Sequence, residues 1–256
     1  MIEPELEFYD SIDSTNDELK RRMLTNRCQE GLVISAEEQT KGRGRSGHAW
    51  VSPKGTSIAT SMVLCPIHIP TEKVSQLTLV AAVAVAEAIE LWSGLSTQIK
   101  WPNDILISNK KVCGILTEMQ AQKNQIEYVI VGIGVNVCQK EFPKELQEIA
   151  TSLELEQGQL HLQEQAQRDL VCAIWKRFLL HYEEFLQTQD LRRMIEGYNQ
   201  RLVNQNRRVK VLDPQGAYEA TAHSVNEIGQ LVVEVEGSMR LIDSGEVSVR
   251  GLLGYV

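Results

Sequence analysis

Apolar residues recur along the chain at two periods, and the switches between them outline the elements. "SIDSTNDELKRRM" begins with cap-forming residues and runs into a helical pattern, which places a helix start at Ser14, Thr15 or Asn16. "GLVISAEEQ" reads as a strand. Beyond a glycine-rich loop, "WVSPKGTSIATSMVL" reads as a turn at Pro53-Lys54-Gly55 and then a strand. "TEKVSQLTLVAAVAVAEAIELW" is apolar over most of its length and predicts a long buried helix. Three strand-like segments follow: "TQIKWPNDILI", "KKVCGILTEM" and "QIEYVIVGIGVNV". The first two are joined by a hairpin turn at "SNKK". A second long helix is predicted at about Gln163 to Leu186, because Ala166, Leu170, Ala173, Ile174, Phe178, Tyr182 and Phe185 recur every three or four residues. "DLRRMIEGYNQ" predicts a further helical piece.

From Arg207 onward the period shortens. "RVKVLDPQG", "AYEATAHSVNEIG", "QLVVEVEG" and "SMRLIDSGEVSVRG" are short alternating strands with turns at Asp213-Pro214, Glu227-Ile228-Gly229 and Glu236-Gly237. Such a run predicts a small β-barrel. The domain boundary falls near Asn199 to Asn206, dividing the chain into residues 1–200 and 205–256. A length of 256 residues with 43% hydrophobic positions fits one large domain with such an appendage.

Charge narrows the range of functions. A net charge of −8 argues against a general nucleic-acid binder. Yet no Asp or Glu occurs from Gln39 to Thr71, while Lys41, Arg43, Arg45 and Lys54 lie in that window. One local cationic window in an acidic chain points to a small anionic ligand. Cys28, Cys65, Cys113, Cys138 and Cys172 are dispersed, odd in number and form no C-x-x-C, which suits unpaired thiols in a reducing compartment rather than a disulfide framework or zinc site. "MIEPELEFYD" has no apolar core of a signal peptide, and the run Leu77 to Ile89 is short for a bilayer and contains Glu87. The expected location is the cytoplasm, with no membrane association.

Within the cationic window, Gly42, Gly44 and Gly47 fall on the G-x-G-x-x-G spacing of dinucleotide-binding loops. That fingerprint also needs a helix opening from the loop and an acid about twenty residues on. Here a Pro-Gly turn and a strand follow, and the acid is missing. The loop reads instead as flexible backbone that presents two guanidiniums and a lysine to another phosphate.

Five stretches occur in series: "STN" at Ser14 to Asn16, "EEQTKGRGRSGHAW" at Glu37 to Trp50, "KWPNDI" at Lys100 to Ile105, "KKVCGILTE" at Lys110 to Glu118 and "VGIGVNV" at Val131 to Val137. On these the chain resembles the biotin–protein ligases, the biotin–[acetyl-CoA-carboxylase] ligase or holocarboxylase synthetase family, over nearly its whole length. The resemblance implies an α+β fold: a mixed β-sheet with packed helices, like the core of class II synthetases, plus a C-terminal SH3-like β-barrel. It implies a two-step reaction that consumes ATP, with Mg²⁺, and biotin. Biotinyl-5′-AMP forms first. The biotinyl group then passes to a lysine on the biotin carboxyl carrier domain of a biotin-dependent carboxylase.

By the same resemblance, Ser14, Thr15, Asn16 and Gln39 line the biotin end, and Gly42, Arg43, Gly44 and Arg45 close over the adenylate with Trp50 packed above it. Lys111, selected over Lys110 by its spacing to Gly114, stabilises charge at phosphorus. Asp104 takes a proton from the acceptor lysine or orients it. Gly132, Gly134 and Asn136 approach the adenylate, Gly114 belongs to the same biotin- and adenylate-binding set, and Arg250 reaches the nucleotide from the barrel. Ser46 and His48 depart from the family's usual arginines. No winged helix precedes "STN", so no operator DNA binding is expected; monomer and homodimer both remain open. The competing readings are a lipoate or octanoate ligase of similar fold and a non-enzymatic biotin or nucleotide sensor.

Overall fold

The computed structural model describes residues 2–25, 27–51, 53–66, 68–158, 164–245, 247–251 and 255. Strands β1 (Glu5–Tyr9), β2 (Leu32–Ala36), β3 (Ser57–Leu64), β4 (Gln98–Lys100), β5 (Asp104–Ile107), β6 (Lys110–Gln122) and β7 (Gln125–Asn136) form one sheet in the order β1-β2-β3-β7-β6-β5-β4. Only β1 and β2 run parallel; every other neighbouring pair is antiparallel, so the sheet is mixed. The sequence pattern assigned no element to β1. It is a short edge strand with alternate positions apolar, and it pairs in parallel with β2 across the α1 crossover, so no hairpin turn announces it.

Helix α1 (Thr15–Leu24) lies on one face of this sheet, over β2, β3 and β7. Ser14 is its cap, with its side chain accepting from the Asp17 amide. The other face carries α2 (Gln76–Ser93) and α4 (Glu164–Thr188), while the short α3 (Leu153–Gln157) precedes α4. α2 and its lead-in are long and apolar enough to cross a bilayer by composition, but most of that surface is buried inside the protein. Its run of small residues, Ala81, Ala82, Ala84, Ala86 and Ala88, is almost wholly buried, which lets α4 and the sheet approach closely. Trp175 on α4 is fully buried and donates its indole N–H to Thr60 Oγ1 on β3.

α5 (Ile195–Arg201) leads to the second sheet, built from β8 (Arg207–Leu212), β9 (Tyr218–Val225), β10 (Leu231–Val235), β11 (Ser238–Ile242) and β12 (Ser248–Gly251). It is antiparallel, in the order β11-β10-β9-β8-β12. This is the SH3-like C-terminal unit. The chain between α5 and β8 is tied to the first sheet. Val203 N–H donates to Ile99 O, and Asn204, fully buried, accepts from Trp101 N–H. The Trp101 indole donates across to Gly229 O. One apolar cluster runs from α2 and α4 through to Val209, Ala222 and Leu231.

Candidate active site

The site's floor follows from strand register. Ala59 on β3 stands opposite Gly134 on β7, Gly134 opposite Gly114 on β6, Gly114 opposite Asp104 on β5, and Asp104 opposite Lys100 on β4. Three strands thus cross the floor with nothing larger than a methyl group, and the row ends on a carboxylate and an ammonium. Two glycines are there because side chains approach them. A Cβ on Gly132 would lie 2.3 Å from Asn16 Oδ1, and one on Gly134 would lie 2.3 Å from Trp50 Cε2.

A hydrogen-bonded chain fixes the first turn of α1 over this floor. Gln39 Oε1 accepts from Thr15 N–H at 2.8 Å and from the Thr15 hydroxyl at 3.0 Å. Thr15 Oγ1 lies 2.6 Å from Ser61 Oγ, which donates to Asn16 Oδ1 at 2.5 Å. The Asn16 amide then donates to Glu118 Oε2 at 2.7 Å. Thr15, Asn16 and Ser61 are buried, so these polar groups are costly unless all are satisfied, and each holds the next in place.

The glycine loop is a tight ribbon. Trp50 N–H donates to Gly42 O, Gly44 N–H donates to His48 O, and one 3₁₀ turn covers Arg45–Gly47. Gly47 takes φ +77°, where glycine is favoured. No helix opens from the loop, so the dinucleotide reading fails on geometry. Arg43 pairs with Asp17 Oδ1 at 2.5 Å and Glu118 Oε2 at 3.2 Å. Arg45 donates to Asn103 Oδ1 at 3.0 Å and to Ser244 O at 2.5 Å, joining the loop to the second sheet. Trp50 rests on the floor against Gly134 and Gly114, and its indole N–H is buried without a partner. The free volume left in the cleft is about 50 Å³, room for a few waters.

Lys111 reaches the floor through a bulge. β5 and β6 pair Asp104 with Gly114 and Ile105 with Cys113, but Leu106 with Lys111, so Val112 is the extra residue. Cys113 and Val112 both enter the core, and the broken alternation turns Lys111 to the pocket face. Its backbone is pinned by Lys111 N–H to Ile149 O and Thr151 N–H to Lys111 O. Lys111 Nζ meets Asp104 Oδ1 at 2.6 Å. Lys110 faces away and donates to Gln147 O.

Burial opposes the Asp104 charge, but Lys111, the Tyr255 hydroxyl that donates to Oδ2, and Lys100 together outweigh it and hold the carboxyl below its usual range. Burial also dominates at Lys100, lowering its ammonium to about 8 against the pull of Asp104.

Of the residues expected from sequence, Ser14, Thr15, Asn16, Gln39, Arg43, Gly44 and Arg45 line one cleft with Trp50, Lys111, Gly114, Gly132 and Gly134. Asp104 borders it through Lys111, and Gly42 supports the loop beneath Trp50. Asn136 is not brought to the cleft: it is buried, and its amide donates to Thr151 O. Arg250 on β12 is near enough to act electrostatically on Lys100 and Tyr255. Sequence reasoning passed over Glu118 and Lys20, which bond at 2.7 Å and anchor the α1 network, and Asn103, which holds Arg45. Asn103 stood inside "KWPND" and Glu118 closed "KKVCGILTE", so both positions were legible, but their partners depend on register.

Residues 8–136 match the Biotin/lipoate A/B protein ligase family, and residues 206–250 match the Biotin protein ligase C terminal domain. The chain belongs to that family. Among relatives, this ligase is 36% identical to the bifunctional ligase/repressor BirA of Bacillus spizizenii over 94% of its own length and 73% of the relative's. It is 30% identical to the biotin–[acetyl-CoA-carboxylase] ligase of Mycobacterium tuberculosis over 91% and 85% of the two chains. Among solved structures, the biotin protein ligase from Aquifex aeolicus in complex with biotin and ATP superimposes with a TM-score of 0.82 at 30% identity, covering 96% of this ligase and 98% of that chain.

Proposed function

We infer that this chain is an ATP-dependent biotin–protein ligase that makes biotinyl-5′-AMP and passes the biotinyl group to a lysine of a biotin carboxyl carrier domain. The observation that carries the reading is the floor of small residues ending at the Lys111–Asp104 pair, 2.6 Å apart, beneath an arginine-bearing glycine loop.

In the first step a biotin carboxylate oxygen attacks the α-phosphorus of ATP, and the bond to pyrophosphate breaks. Two anions must approach each other, so the chemistry needs cations on both sides. Lys111 supplies one from the floor, where charge builds at phosphorus. Arg43 and Arg45 supply two from the loop by exchanging their present partners for phosphate oxygens. Ser14, Thr15, Asn16 and Gln39 offer the donors and acceptors that a cyclic urea needs. Trp50 must leave the floor to admit these substrates, and its unpaired indole N–H favours a state in which it finds an acceptor. Magnesium bound with ATP would screen the phosphate charge. Among the described residues no three His, Cys, Asp or Glu side chains converge on a metal position, which fits an ion held chiefly by phosphates and water.

In the second step the acceptor amine, having given up its proton to solvent, attacks the biotinyl carbonyl; the carbonyl–phosphate oxygen bond breaks, AMP leaves, and the second proton shed on amide formation also passes to solvent. A carboxyl held below its usual pKa is a weak base, so Asp104 acts mainly by holding and orienting the incoming ammonium. The test is incubation with ATP, Mg²⁺, an apo carrier domain and either biotin or lipoate. Mass spectrometry should find one biotinyl group on the carrier lysine. Transfer of lipoate alone, or of neither acid, would sink the reading.

A further inference from the structure

Tyr255 makes two contacts with the charged end of the floor. Its hydroxyl donates to Asp104 Oδ2 while Lys111 holds Oδ1, so both carboxylate oxygens have fixed partners. Its ring lies under Lys100, with Nζ 3.4 Å from the ring centroid. Lys100 is only 5% exposed, and the described protein gives it no closer anion than the Asp104 carboxylate opposite it in register. Tyr255 thus offers a donor to the carboxylate and a π-face to the ammonium. No aromatic in the sequence motifs does this; the residue comes from beyond β12.

We propose that Tyr255 is a positioning residue of the transfer step, its hydroxyl fixing the Asp104 carboxylate and its ring capping Lys100. The proposal rests on the role given to Asp104 above. A carboxylate tethered at one oxygen swings about its last torsion; tethered at both, it presents one geometry to the acceptor lysine. Several other ionisable groups act on this cluster. Lys111 and Cys113 come from β6, Lys100 from β4, Arg45 from the glycine loop, Tyr198 from α5 and Arg250 from β12. Burial already lowers the Lys100 ammonium to about 8, and removing the ring would admit water and raise it.

Tyr255→Phe removes the hydroxyl and keeps the ring; Tyr255→Ala removes both. Transfer from preformed biotinyl-5′-AMP to an apo carrier domain is measured in single turnovers, beside ATP–pyrophosphate exchange, for both variants, Asp104→Asn and the Tyr255→Phe/Asp104→Asn double variant. Circular dichroism and melting check folding, and Tyr255→Phe keeps the test open if Tyr255→Ala does not fold. Tyr255→Phe should slow transfer about tenfold, the weight of a hydrogen bond to a charged group. It should slow exchange less. In the Asp104→Asn background it should change transfer less than about twofold, because the two side chains act as a unit. By NMR of the Lys100 side chain, Tyr255→Phe should leave its titration near 8 and Tyr255→Ala should move it upward. The Tyr255 role is overturned if Asp104→Asn slows transfer while Tyr255→Phe does not, if the two effects add independently, or if Tyr255→Ala leaves the Lys100 titration in place. If Asp104→Asn transfers at the wild-type rate, the reading of Asp104 falls first, and the positioning role with it.

Discussion

Lys111 and Asp104 form a pair that is only partly exposed, so each charge depends on the other more than a surface pair would. When two anionic substrates enter, Lys111 keeps its contact with Asp104 and turns its other N–H donors to the reacting oxygens at little cost, because its backbone is already pinned beside the bulge. Lys111→Ala should lower ATP–pyrophosphate exchange by about 10²–10³-fold, as loss of one preorganised charge-stabilising group does elsewhere. Near-normal exchange would remove its assigned role. Gly134 shows the same economy of space. Gly134→Ala would put a methyl group 2.3 Å from the Trp50 ring. The strand should survive, since Gly134 does not take a positive φ, but the ring must shift off the floor. Tryptophan fluorescence should change and adenylate synthesis should fall; an unaltered spectrum with full activity would show that Trp50 does not rest there.

At the scale of elements, the floor is flat only because the opposite face of the sheet is held rigidly. α2 is almost entirely buried and α4 packs along it, with Trp175 stacked edge-on to Phe178 and bonded to Thr60. Thr60 neighbours Ala59 and Ser61, both of which belong to the site. Trp175→Ala should cost about 3–5 kcal/mol through the cavity and the lost hydrogen bond. Urea unfolding measures it, and a cost below about 1 kcal/mol would mean the helix collapses into the gap. Biotin affinity should fall as well, because Ser61 loses its support from behind. α1 depends on its surroundings in the same way. Its cap and first turn carry the hydrogen-bonded chain from Gln39 to Glu118, so the element that starts the fold also shapes the pocket.

Across the whole molecule, the charged end of the site draws on both parts of the chain: Arg45 reaches Ser244 O in the β11–β12 connection, and Tyr255, beyond β12, contacts both Asp104 and Lys100. Lys100 titrates near 8 in the fold and near 10.4 when unfolded. Below pH 8 it is charged in both states, and its burial penalty is fully present. Between those values the unfolded chain binds more protons, so raising the pH stabilises the fold. From pH 7 to 9.5, wild-type stability should therefore rise relative to Lys100→Met by about 1–2 kcal/mol in urea titrations. A constant difference would mean the ammonium is not penalised.

The helices other than the short α3, most strands and the dense motifs were legible in the sequence because they rest on local periodicity, caps and turn residues. The acid-free window around Arg43 and Arg45 was legible too, and the motif spacing pointed to Lys111, which lies at the cleft, rather than Lys110, which bonds Gln147 O. Strand β1, the place of Asn136 away from the cleft, the support from Glu118 and the Tyr255–Asp104 contact were not. Each depends on which strands pair and in what register, and a single bulged residue reverses which way a lysine points. Local chemistry is written along the chain, whereas the meeting of residues from 15 to 255 is decided by the packing of two sheets over one continuous core.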